Sequence, residues 1–358
     1  MAAPAGWPDR FPDDPGCAVV VRGQLRAAAA SQAGYGAAMP EIGLVGLGRM
    51  GLPICANLVQ AGYNVLAGDR RPEAARQAAG LGARWMPGLA RLAAEADVLI
   101  TVLPGPGEVR ELMLGTGGAA AALRRGTTWI DMTSNSPAAV TEIREALLDR
   151  GIQVLDAPAG GGVAAARQGT LQLLVGGEAE VIARHRDLLK VLGKPGRVHH
   201  VGGYGAGYTA KLLINLLWFG QSVATAEALL LGHASGLDLG ALRDVLAGSA
   251  AASEFIRHDL DALFAGDFMR TFGLDRCCQE LQIVTGLARD HGLPFQVSES
   301  VITTPPAAMA HGRTCEIVPG SAGRGEVVMV SAVSPDRPSS GSLGTFRPGG
   351  FQIQLGTP

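Results

Sequence analysis

Ile42-Gly43-Leu44-Val45-Gly46-Leu47-Gly48-Arg49-Met50-Gly51-Leu52-Pro53-Ile54-Cys55-Ala56-Asn57-Leu58 is the stretch that decides the fold. A short apolar run ends in G-x-G-x-x-G and passes directly into residues with helical spacing. Each glycine has a mechanical reason to be there. Gly46 permits the tight turn, Gly48 lets backbone approach a pyrophosphate, and Gly51 lets the helix sit against the strand with its amino end facing the anion. In a chain with 51 glycines the motif alone is a weak signal, and a plain turn is the competing reading.

Context decides between them. The next strand ends at Asp69, about 20 residues further on, where a carboxylate can accept the ribose hydroxyls of an adenosine half. Such a carboxylate repels a 2′-phosphate and favours NAD, whereas Arg70 and Arg71 offer that phosphate a partner and keep NADP as the alternative. Outward from this unit, short aliphatic runs recur at Ile42 to Val45, Asn64 to Leu66, Val98 to Leu103, Thr128 to Ile130, Gln153 to Leu155 and Leu171 to Val175. Stretches with helical spacing, such as Pro53 to Gln60 and Pro137 to Leu148, separate them. This alternation predicts an α/β fold, a Rossmann-type doubly wound and mostly parallel sheet, followed by an all-α C-terminal domain because strand signals stop near Tyr208.

The expected organisation is a flexible leader over 1–38, a dinucleotide-binding domain over 39–203, a helical substrate and dimerisation domain over 204–302, and a Gly, Pro and Ser-rich, poorly ordered tail over 303–358. The leader lacks a basic start and apolar stretch, so it does not read as a secretory signal, and Met39 stands three residues before the first strand as an alternative start. The stretch Thr209 to Leu231 is apolar nearly all round. Lys211, Asn215, Gln221 and Glu227 interrupt it, so it reads as a helix buried between domains or subunits, not as a membrane span.

The 358 residues are 47% hydrophobic and 17% charged, enough for a substantial core. Lys+Arg 30 against Asp+Glu 32, without a basic block, argues against nucleic acid as partner. Five scattered cysteines, none in paired C-x-x-C motifs, fit a reduced, cytoplasmic compartment and no metal site.

Three further loops follow strands and read equally well as ordinary turns: Leu103-Pro104-Gly105-Pro106-Gly107-Glu108, Asp131 to Pro137, and Asp156 to Gly162 with three successive glycines whose amides could cradle a carboxylate. A fourth, Gly202 to Gly207, leads into the helix with Lys211 and Asn215 on one face at i, i+4. A lysine on so apolar a helix either has a lowered pKa and serves as an acid or base, or runs along the surface to solvent.

Taken in order, Gly46 to Pro53, Asp131 to Pro137, Asp156 to Gly162 with Gly169-Thr170-Leu171, and Gly205-Ala206-Gly207 through Lys211 to Asn215 resemble the β-hydroxyacid dehydrogenase family over about residues 41 to 300. The resemblance implies an NAD(P)-dependent oxidoreductase that interconverts a small 3-hydroxy acid and its semialdehyde. It implies Lys211 as general acid and base, with Asn215 orienting lysine and substrate. Ser134, Gly161 and Gly162 would hold substrate. Gly46, Leu47, Gly48, Arg49, Met50, Gly51, Asp69, Arg70, Leu103, Pro104, Glu108, Ser134 and Gln279 would line the cofactor. A homodimer or homotetramer is the expected assembly.

Departures stand beside the matches. Gly160 occupies a position that is usually serine, and Ile214 one that is commonly asparagine. Gln279-Glu280 replaces a Lys-Asp pair, which removes a cation near the nicotinamide and implies weaker or altered activity. The readings that compete are an NADPH-dependent aldehyde or imine reductase, and a non-catalytic dinucleotide-binding scaffold.

Overall fold

The computed structural model describes residues 39–264, 274–295, 313–319 and 325–331. The expected leader lies outside the described residues, as does most of the expected tail. The chain divides into two compact units, one ending at Lys211 and one beginning at Leu212. This division by compactness falls inside a helix.

In the first unit the elements run β1 (Glu41–Val45), α1 (Gly51–Gln60), β2 (Asn64–Gly68), α2 (Ala74–Gly80), β3 (Arg84–Trp85), α3 (Leu89–Glu95), β4 (Val98–Thr101), α4 (Pro106–Leu114), α5 (Ala119–Ala122), β5 (Thr128–Asp131), α6 (Pro137–Leu148), β6 (Gln153–Asp156), β7 (Ala159–Gly160), α7 (Gly162–Gln168), β8 (Leu171–Gly176), α8 (Ala179–Arg184), α9 (Arg186–Leu192) and β9 (Gly193–Gly202). They form one sheet in the order β3-β2-β1-β4-β5-β6-β8-β7, with β9 beside β8. From β3 to β6 every pairing is parallel. β7 continues the line of β6 and pairs antiparallel with β8, which turns back toward Asp156.

Period-2 alternation sends neighbouring strand residues to opposite cores. Leu44, Val65, Ala67, Val98, Ile100, Ile130 and Leu155 pack on one side with Ile54, Leu58 and Leu189 of the helices. Val45, Leu66, Leu99, Trp129 and Val154 pack on the other with Leu92, Val109, Met113, Ile143 and Leu147. Full burial of such side chains contributes about 1.5–3 kcal/mol each before entropy is subtracted. Ser136 caps α6, its hydroxyl accepting the Ala139 N–H at 3.4 Å, and Pro137 fits the first helical turn because its missing N–H has no partner to lose.

The helix α10 (Ala206–Ala234) begins in the first unit and continues into the second, which adds α11 (Leu239–Ala247), a π-helical turn at Phe255–Asp259, α12 (Leu260–Phe264) and α13 (Leu274–Asp290). Leu229, Leu239, Phe255, Ile256 and Leu260 form its core, and the Trp218 indole donates to Asp259 Oδ2 at 2.9 Å. Antiparallel strands β10 (Arg313–Pro319) and β11 (Gly325–Ser331) lie within the stretch read as a poorly ordered tail.

The sequence places α10 between domains or subunits, and in the single chain its faces divide. Tyr208, Leu212, Asn215, Phe219, Thr225 and Leu229 are buried, but Leu213, Ile214, Leu217 and Leu231 are exposed at 41–70%, and Glu227 is exposed as well. The helix is long and apolar enough to cross a membrane by length and composition, a test that core helices of soluble proteins also pass.

Candidate active site

β1 lies between β2 and β4, so the loops after β1 and β4 leave the carboxyl edge of the sheet on either side of the point where strand order reverses. Open α/β sheets bind ligands in the crevice at this point. Gly46 adopts φ +97°, and a Cβ there would run into the Val102 carbonyl and come within 3.1 Å of the Leu103 side chain. A Cβ at Gly51 would collide with the Gly46 carbonyl, whereas one at Gly48 would meet nothing within 4 Å. The loop is thus closed tightly on its protein side and open where backbone would face a ligand. No side chain caps the amino end of α1, whose first amides have no intrahelical acceptors. Leu47 is buried, Arg49 is exposed and Met50 is half-buried.

Asp69 follows β2 directly and reaches this loop. Its Oδ2 accepts the Leu47 N–H at 2.7 Å, and its Oδ1 accepts the Arg71 backbone N–H at 2.9 Å and the Arg71 Nε at 3.0 Å. Arg71 also donates to the Leu47 carbonyl at 3.0 Å. Burial alone would raise the Asp69 pKa, but the hydrogen bonds from Arg71 and Leu47 outweigh it and hold the carboxyl below its ordinary value. The side chain is an anion locked to the loop, with Arg71 committed to it, while Arg70 is exposed. The glycine spacing, uncapped helix and fixed carboxylate fit a dinucleotide.

The other expected wall residues extend the same edge. Leu103 donates its N–H to Thr133 Oγ1 at 3.1 Å, which ties the loop after β4 to the loop after β5 that carries half-buried Ser134. Pro104 is exposed, and Glu108 is half-buried in the first turn of α4. Gly161 and Gly162, at φ +103° and +64°, lie exposed where β7 meets α7.

Two buried carboxylates that motif reading left without a role organise this edge. Asp131 and Asp156 are register neighbours at the ends of β5 and β6. Asp131 Oδ1 accepts from the Thr101 hydroxyl at 2.8 Å and the Thr133 N–H at 3.1 Å, and Oδ2 from the Asn135 amide at 3.1 Å and the Tyr208 hydroxyl at 2.8 Å. Four donors match the acceptor capacity of an ionised carboxylate, although burial pushes this pKa up against bonds from Thr133, Thr101 and Tyr208. Asp156 accepts the N–H groups of Gly205 at 2.8 Å and Tyr208 at 2.9 Å, so it caps the amino end of α10 from a strand distant in sequence. Burial raises its pKa to about 6 despite those bonds. The available signal was an aspartate ending each of two apolar strands.

Lys211, half-buried, stands in the second turn of α10, and Asn215 one turn later, as their spacing implied. Asn215 is buried in the second unit and donates its amide to Glu280 on α13; Gln279 beside it is exposed. Among the described residues, no cluster of His, Cys, Asp and Glu could hold a metal ion.

Fold and site together define an α/β enzyme that binds a dinucleotide. Residues 41–203 match the NAD-binding domain of 6-phosphogluconate dehydrogenase, and residues 205–318 match the NAD-binding domain of NADP-dependent 3-hydroxyisobutyrate dehydrogenase. The second match extends past residue 300, where the motif resemblance fades. The chain is 33% identical to 2-(hydroxymethyl)glutarate dehydrogenase of Eubacterium barkeri over 72% of its own length and 85% of that protein. It is 37% identical to 3-hydroxyisobutyrate dehydrogenase of Pseudomonas aeruginosa over 60% and 72% of the two chains. The solved 3-hydroxyisobutyrate dehydrogenase of Mycobacterium tuberculosis with L-serine superposes with a TM-score of 0.69 at 30% identity, covering 76% of this chain and 94% of that one. The chain belongs to the β-hydroxyacid dehydrogenase family and is an NAD(P)-dependent oxidoreductase.

Proposed function

We propose that the enzyme interconverts a small 3-hydroxy acid and its semialdehyde, uses NAD in preference to NADP, and acts as a homo-oligomer. The observation that carries the reading is the position of Lys211 in the second turn of a helix whose first turn is bonded to the ends of β5 and β6, the edge from which the glycine loop and the Ser134 loop also leave. Lys211 Nζ gives its proton to the reacting oxygen in reduction and takes it back in oxidation, a contribution of about 10²–10⁴-fold. Ser134 and the amides of Gly161 and Gly162 hold the substrate carboxylate, and Asn215 orients the lysine and substrate. The dinucleotide, when bound, supplies or accepts the hydride. Asp69 supports NAD, because its anion would face a 2′-phosphate and its pairing with Arg71 occupies the arginine best placed to compensate.

The test is an assay of 3-hydroxyisobutyrate, L-serine, glycerate, tartronate semialdehyde and succinic semialdehyde with both cofactors. At least one should turn over, faster with NAD(H) at limiting cofactor, and Lys211→Ala should lower kcat by about 10²-fold or more while NADH still binds. Unchanged turnover in Lys211→Ala would overturn the assignment. Binding of NADH with no turnover across the panel would favour a non-catalytic scaffold, and turnover of a cyclic imine alone would favour an imine reductase.

A further inference from the structure

The buried polar chain between the sheet and α10 carries no proton or substrate in the mechanism above. Tyr208 is fully buried and contributes two groups to it: its hydroxyl bonds Asp131 and its backbone N–H bonds Asp156. Glycines make room for the second carboxylate. A Cβ at Gly207 would meet Asp156 Oδ2 at 2.6 Å and also strike the Leu174 carbonyl, and one at Gly176 would strike Asp156 Oδ1. The Tyr208 ring is held edge-on against Tyr204 at 6.0 Å between centroids, and the Arg144 guanidinium stacks on Tyr204 at 5.3 Å. Rotation of the first helical turn would therefore break bonds inside a close-packed region, where donors and acceptors left alone are expensive.

The same Asp131 accepts the Thr133 N–H and the Asn135 amide on either side of Ser134. We propose that Asp131, Tyr208 and Asp156 are positioning residues that fix the first turn of α10, and through it the Nζ of Lys211, against the loop that carries Ser134. The inference rests on Lys211 being the acid and base, and on geometry that links both candidate groups to one carboxylate. Lys211 follows Tyr208 by three residues, on the adjoining turn, so a tilt of that turn moves its side chain directly.

The chain has only three lysines, Lys190, Lys194 and Lys211, which makes the test direct. Reductive ¹³C-methylation of the full chain gives separate lysine signals whose titration midpoints are read by NMR, with no substrate required. In Tyr208→Phe the Lys211 midpoint should move by about half a pH unit or more, since its surroundings change, while Lys190 and Lys194 stay put. Ile143→Val, a buried change in α6 outside the polar chain, should lower stability without moving Lys211. Should Tyr208→Phe fail to fold, Thr101→Val removes at nearly constant shape a donor to Asp131, together with the acceptor of the Trp129 indole N–H, and should move the same signal.

A Lys211 midpoint indifferent to these changes, or moved equally by Ile143→Val, overturns the proposal. With a substrate from the panel, Tyr208→Phe should lower kcat about tenfold or more, as expected of a small misplacement of a reacting group, with KM for NADH within twofold. Absence of turnover in the parent enzyme would count against the proposed function alone, because the NMR measurement still decides the positioning role.

Discussion

Gly160 stands where the family resemblance implies a serine, and its surroundings say what a serine there would do. It lies in β7 opposite Gln172, and a Cβ built on it would sit 3.4 Å from Gln172 Oε1 and 3.6 Å from its Cβ, ordinary contacts. Its neighbours are different. Gly161 and Gly162 hold positive φ, where L side chains are strained, and a Cβ on Gly161 would come within 2.7 Å of Ala165 Cβ. Gly160→Ser should fold as the parent does and lower KM for the hydroxy acid by a few-fold, since one added hydrogen bond contributes about 0.5–1.5 kcal/mol. An unchanged KM would show that this hydroxyl does not reach the substrate. The glycine loop was legible at this scale because Gly46 and Gly51 are required by backbone contacts that follow from the turn itself. Asp131, Asp156 and Tyr208 were not, because a strand-ending aspartate and a helical tyrosine carry no sign of which partner they will find across 52 or 77 residues of chain.

At the scale of elements, the amino end of α10 is stabilised by a carboxylate whose titration should be visible in stability. Burial raises the Asp156 pKa to about 6 against an ordinary 3.8. Between about pH 4 and 6 the native state therefore binds more protons at this group than the unfolded state, and its contribution is greatest at low pH and lost as pH rises. The difference in Tm between the parent and Asp156→Asn, whose side chain is neutral throughout, should shift against the parent from pH 4 to about 6 and level off above it. A difference that shifts the other way would mean that the helix amides outweigh burial. The central strands and α1, α6 and α10 were legible as elements because each buries an apolar run of the matching period. β9 was not: it begins Gly193-Lys194-Pro195-Gly196, is mostly exposed, and lies at the sheet edge where proline is tolerated and alternation is not enforced.

For the whole molecule, the exposed Leu213, Ile214, Leu217 and Leu231 on α10 are the feature to explain. Apolar side chains grouped along one helix usually mark an interface. Sedimentation velocity should give a mass of at least twice the 36.8 kDa of one chain, and a species at the single-chain mass across micromolar concentrations would refute the oligomer. The parallel sheet and helical second unit were both readable from where strand periodicity begins and ends. The packing of α10 was not, because an all-round apolar helix gives no indication of which faces its own chain covers.

The division between the two compact units falls immediately after Lys211, within the continuous helix α10. A gene fragment cut at that division would carry Ala206 to Lys211 as an end of less than two turns, bonded at its first turn to Asp131 and Asp156 but without the following turns that propagate a helix. Exchanged there, the dinucleotide half would carry its lysine as the last residue of a fraying helix end. A recombination that preserves the chemistry crosses over further along the helix, so that the nucleotide domain and the start of the helix are inherited together.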